Sequence, residues 1–154
     1  MRAKIRRSFL TAATVALGMV LGSAAQAAQD CKRPAGGKVH NPKVVNFDFD
    51  SSKLRPEQRA ELEKMAARFA GNPNIEVCLV GMADRVGDQD YNKKLAQTRA
   101  EVVADFLKSA GLKDNKYQIV ARGQPYGDND WVGKLLGSGE KESDRRVDVL
   151  FMER

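Results

Sequence analysis

Asp84 and Arg99 are the two residues of this 154-residue chain whose types and spacing most invite chemistry. The acid closes the apolar run IEVCLVGMA (75–83), and the arginine stands fifteen positions later, inside a helical pattern. A carboxylate beside a guanidinium matches a zwitterion: the aspartate accepts from an ammonium, and the arginine fork grips a carboxylate with two parallel bonds. The same side chains can also bond each other directly, and spacing alone leaves both arrangements open. Geometry permits a shared cleft. A loop from Ala83 to Asp90 carries the chain roughly 20 Å outward at about 3.3 Å per residue. Arg99, nine residues into a returning helix, lies about 14 Å back at 1.5 Å per residue, level with Asp84.

Other chemistry is poorly provided for. The single histidine, His40, falls in a Gly- and Pro-rich stretch, and there is no Cys/His cluster, CxxC motif or glycine-rich phosphate loop. A calcium loop starting at Asp84 meets Val86, Gln89 and Leu95 where oxygen, glycine and acid are required. Asp48 and Asp50 form an acid pair, but no apolar pocket surrounds them to make a hydrolase. The expectation is a non-enzymatic chain with no catalytic residues, cofactor or metal.

The elements that would position the pair start after a leader. Residues 1–27 combine four basic residues, an apolar stretch and an Ala-Gln-Ala step, as a cleavable secretory signal does. Four of the 26 basic residues lie there, which leaves 22 against 20 acids and a net charge of +2. The basic overall composition is therefore no argument for nucleic acid. After cleavage no stretch is long and apolar enough to span a membrane. The segment before Cys31 lacks the small residues of a lipoprotein leader. Residues 28–42 read as a flexible arm and 43–154 as one domain. In an oxidising compartment Cys31 and Cys78 form a disulfide, or else remain a loose and a buried thiol.

Within the domain, alternation of Val45, Phe47 and Phe49 marks a first strand, KVVNFDFD. Pro56 opens a helix whose Leu62, Met65, Ala66 and Phe69 share a face. Residues 75–83 make a second strand, with Ile75, Val77 and Leu79 on one side and Cys78 and Val80 on the other. A second helix, from about 90 to 110, carries Leu95, Val102, Val103, Phe106 and Leu107. Strands follow at 116–122 and 145–153, the last two as a long-looped antiparallel pair, and WVGKLL (131–136) between them suits a short amphipathic turn covering the core edge. The order β-α-β-α-β-β predicts an α+β fold, a single mixed sheet with helices packed on one face. The other face stays partly bare, and a Cys31–Cys78 bond would tie the arm across it.

The motif set then acquires a resemblance. Gly81, Asp84, Gly87, Asn92, Leu95, Arg99, Ala100, Arg145, Arg146 and Val147 fall at the spacings of G-H-T-D, G, N-x-x-L-S-x-x-R-A and N-R-R-V. From about Val44 to Met152 the chain resembles the OmpA-like C-terminal domain, the peptidoglycan-binding module also found in the Pal lipoprotein and in MotB. The resemblance implies peptidoglycan as partner, bound through the diaminopimelate of the stem peptide, with Asp84 and Arg99 receiving its free amino-acid end. It further implies that Asp50, Asn92 and Arg145 line the pocket, and that the protein works in the periplasm, at the peptidoglycan and outer membrane, alongside other envelope proteins. The competing reading keeps the scaffold as a protein-interaction module in which Asp84 and Arg99 only pair. Met82 and Ala83 replace His and Thr and Ala96 replaces Ser, which makes the surroundings less polar; Asp144 replaces Asn, adding a negative charge near the site, and ARGQPYG lacks the G-Y-G-E form. On this reading, replacing Asp84 or Arg99 abolishes binding and spares the fold.

Overall fold

The computed structural model describes residues 31–83, 88–123 and 144–154. The expected leader, Asp84, Gly87 and the turn at Trp131 lie outside these residues. Four strands and two helices follow the order β1 (Lys38–Asn46), α1 (Pro56–Phe69), β2 (Ile75–Gly81), α2 (Gln89–Leu107), β3 (Lys116–Ala121) and β4 (Arg146–Glu153). They build one mixed sheet in the order β1-β4-β2-β3. β4 runs antiparallel to both β1 and β2, and β2 runs parallel to β3.

The expected fold class is therefore present, with one change of pairing. The last two strands are not neighbours, because β4 inserts between β1 and β2. Its burial explains the choice: Arg146 to Met152 are all buried, and a strand buried on both faces belongs in the middle. β3, half-exposed along most of its length, takes an edge.

β1 also differs from expectation at both ends. It starts at Lys38, so residues 38–42 of the expected flexible arm are sheet. Pro42 is accommodated because β1 is an edge strand whose register shifts between His40 and Lys43, the setting in which proline costs no ladder bond. The other end stops at Asn46, and the alternation fails at Phe49, which is 70% exposed instead of buried.

Helix α1 buries Leu62, Met65, Ala66 and Phe69, as its spacing predicts. Helix α2 keeps only Val103 and Leu107 of its expected stripe in the interior. Asn92, Ala96, Arg99, Ala100, Val103, Ala104 and Leu107 are buried, whereas Leu95, Val102 and Phe106 are only partly so. Small side chains let α2 approach the sheet closely. A Cβ added to Gly81 would stand 2.0 Å from the Ala96 carbonyl oxygen. Asp88 caps the helix by accepting from the Tyr91 N–H at 2.8 Å. A five-residue π-helical turn, Lys108–Leu112, ends it at Gly111, whose φ of 115° suits glycine.

The helices cover one face of the sheet, where Ile75, Val77 and Leu79 meet Val147, Val149 and Phe151. On the opposite face, Cys78, Val80, Met82, Leu150 and Met152 cluster with Cys31. Cys31 and Cys78 are disulfide-bonded, with Cα atoms 6.0 Å apart. Lys32 adds two backbone bonds to the Gln118 amide on β3, at 2.8 and 3.1 Å. Gly37 passes close to the Glu153 carbonyl on β4, nearer than any side chain would permit. Residues 31–37 thus cross the back of the sheet from β3 to β1.

Candidate functional site

At one end of the sheet, β1 gives way to a short loop. The Phe47 N–H still donates to the Arg145 carbonyl, at 2.7 Å, and the chain then turns. Ser51 N–H donates back to the Asp48 carbonyl, and Asp50 takes a positive φ of 49°. Aspartate is among the side chains that tolerate that region. Two side-chain ties hold the loop. Arg55 donates to the Asp48 carboxylate, and the Tyr91 hydroxyl, from the first turn of α2, donates to the Asp50 carboxylate. The bond and charge of Arg55, with a smaller contribution from Arg145, hold the Asp48 carboxyl below its usual pKa. The Asp50 carboxylate raises that of the Tyr91 phenol, against a smaller opposing influence of Arg99.

Arg99 is the centre of this arrangement. It is fully buried, and its guanidinium donates to three carbonyl oxygens: Ser51 (Nε, 2.9 Å), Asp48 (Nη2, 3.1 Å) and Met82 (Nη1, 3.3 Å). Its cationic carbon lies 5.4 Å from the centre of the Phe47 ring, within cation–π range. One side chain of α2 therefore clasps both the loop after β1 and the end of β2. Met82 is held from both sides, since its own N–H donates to the Arg146 carbonyl at 2.8 Å. These bonds make Arg99 a structural tie as well, an argument against the expectation that its removal spares the fold.

The structure brings Arg99, the Asp50 loop and the Arg145 backbone to one end of the sheet. Asn92 is buried on the same face of α2, two turns before Arg99. Arg145 is half-buried, whereas Arg146 is buried and paired with Asp148 at 3.0 Å. Asp84 follows Ala83 directly and lies outside the described residues. Three of the polar-to-apolar departures are interior positions. Met82 belongs to the back cluster, Ala83 is buried, and Ala96 supplies the close approach to Gly81. Tyr91 and Arg55 went unnoticed in sequence, and Asp48 was read only as one of an acid pair, because exposed helix-start and turn residues of these types are ordinary. The Ser51 and Met82 contributions are backbone carbonyls, which no side-chain pattern announces. Among the described residues, no group of His, Cys, Asp and Glu could hold a metal ion, and no helix is long and apolar enough to cross a membrane.

A model of the OmpA family matches residues 46–131, more than half of the chain. The chain belongs to the OmpA family. Among its relatives, outer membrane protein A of Bordetella avium is 32% identical over 119 residues, 77% of this chain and 61% of the relative. The peptidoglycan-associated lipoprotein of Rhizobium meliloti is 32% identical over 80 residues, 52% of this chain and 46% of that protein. The crystal structure of the peptidoglycan-associated lipoprotein from Burkholderia pseudomallei matches with a TM-score of 0.58 and 29% identity, over 70% of this chain and 88% of that one. This OmpA-family chain spans less than two thirds of the length of its first curated relatives. The resemblance to the OmpA-like domain is borne out.

Proposed function

We propose that this OmpA-family chain binds peptidoglycan non-covalently, through the diaminopimelate of the stem peptide, and works in the periplasm at the wall and outer membrane. The observation that carries the reading is the clamp at Arg99. A guanidinium fixed by three carbonyls is oriented in advance, so little side-chain entropy is lost when it meets a carboxylate. In this reading Asp84 receives the ammonium of diaminopimelate and Arg99 its carboxylate, while Asp50, Asn92 and Arg145 shape the rim. The relationship to proteins named as peptidoglycan-associated lipoproteins supports the choice of polymer.

Titration with two stem peptides tests the ligand. One carries diaminopimelate, and the other carries lysine, which has the ammonium but lacks the adjoining carboxylate. The diaminopimelate peptide should bind at least about tenfold more tightly, since a charged partner left unmet costs about 2–5 kcal/mol. Asp84→Asn should cut retention on purified sacculi by a similar factor. Equal affinity for the two peptides would remove diaminopimelate, and undiminished retention would remove Asp84.

The burial of Arg99 favours a second reading, in which it is a structural tie and the scaffold serves as a protein-interaction module. That reading expects Asp84→Asn to change stability and to leave sacculus retention as it was.

A further inference from the structure

Among the described residues three large apolar side chains are exposed, and two of them, Phe49 and Tyr91, adjoin Asp50. Phe49 precedes Asp50 in the loop, and Tyr91 bonds the Asp50 carboxylate through its hydroxyl. The loop is firmly held: Arg99 grips the carbonyls on either side of Phe49, those of Asp48 and Ser51, and Arg55 holds the Asp48 side chain. A phenylalanine 70% exposed on a pinned loop presents a fixed apolar surface to whatever approaches this end of the sheet.

We propose that Phe49 stacks against a sugar ring of the glycan strand, forming a carbohydrate contact beside the stem-peptide site; the inference rests on the wall-binding reading above. A pyranose offers an apolar face of C–H groups bordered by hydroxyls. The loop offers an aromatic face bordered by the Asp48 and Asp50 carboxylates and the Tyr91 hydroxyl, all able to bond sugar hydroxyls. The two acids make the patch a poor match for an anionic lipid surface. Phe49 lies in the loop whose Asp48 and Ser51 carbonyls Arg99 holds, which places the ring at the same end of the sheet as the stem-peptide site.

The test is calorimetric titration of the wild type and Phe49→Ala with two probes. One is a disaccharide–tetrapeptide muropeptide containing diaminopimelate, and the other is the same tetrapeptide without sugar. The wild type should bind the muropeptide about fivefold more tightly than the bare peptide, the scale set by burying part of one aromatic ring. Phe49→Ala should erase that advantage, leave the peptide affinity and melting temperature unchanged, and be rescued by Phe49→Tyr. A wild type indifferent to the sugar overturns the proposal. Equal losses for both probes overturn it too, by assigning the ring to the peptide. Failure of the wild type to bind either probe brings down the wall-binding reading itself, and this inference with it.

Discussion

Arg99 brings a positive charge into the interior and commits three of its five N–H donors to main-chain carbonyls from two separate segments. Removing it strips those carbonyls of a charged donor and leaves a void under Phe47. Arg99→Met should therefore lower the unfolding free energy by at least about 3 kcal/mol, measured by urea titration. Loss of binding in that variant says nothing about the ligand unless its stability is measured alongside. Tyr117 gives a second prediction. Burial pushes its phenol up to about 12, with a smaller contribution from Asp105, and its hydroxyl donates to the Leu112 carbonyl at 3.0 Å. A group whose folded pKa lies above its unfolded value, about 10, contributes stability that is complete below pH 10. That contribution is lost as pH rises through 12. Alkaline denaturation should show a stability decline between pH 10 and 12 that Tyr117→Phe reduces.

Among the elements, the contact between β2 and α2 has the least slack. A methyl group at Gly81 would collide with the Ala96 backbone, which no rotamer change relieves. Gly81→Ala should destabilise by about 2 kcal/mol or more and displace α2, and with it Arg99. The measurement is thermal unfolding together with the amide shifts of residues 92–100. The same elements show what was legible in sequence. Helix α1 declared its face because Leu62, Met65 and Phe69 are large and apolar. Helix α2 misled in part because its inner face, besides Val103 and Leu107, is made of alanines, Asn92 and Arg99, while larger Leu95 and Phe106 sit at its margin. Alternation gave Val45 and Phe47 correctly and failed at Phe49, since the turn at 48–50 is stabilised by Arg55, Tyr91 and Arg99 from elsewhere in the chain. Motif spacing singled out Arg99, but its long-range ties to carbonyls leave no local trace.

At the scale of the whole molecule, the sheet needs cover on both faces, and among the described residues only one receives helices. The strap of residues 31–37 is fastened over the other by the disulfide and by Gln118. The bond joins residues 47 apart, for which the chain-entropy model gives a contribution of about 4 kcal/mol. Reduction, or the Cys31→Ala/Cys78→Ala double variant, should lower stability by about 2–4 kcal/mol in denaturant titrations. Because Cys78 is buried mid-strand, alanine is preferable to serine, whose hydroxyl would need a partner there.

The place of β4 has a consequence for how the molecule comes into being. β1 and β2 are made first yet are not paired; β4, the last of the four strands in chain order, lies between them. A chain emerging from the ribosome or through a translocation pore can form its helices and the β2–β3 pair, but holds two unzipped strand edges until β4 arrives. A chain cut before Arg146 should therefore leave β1 unjoined to the sheet and expose both edges to aggregation.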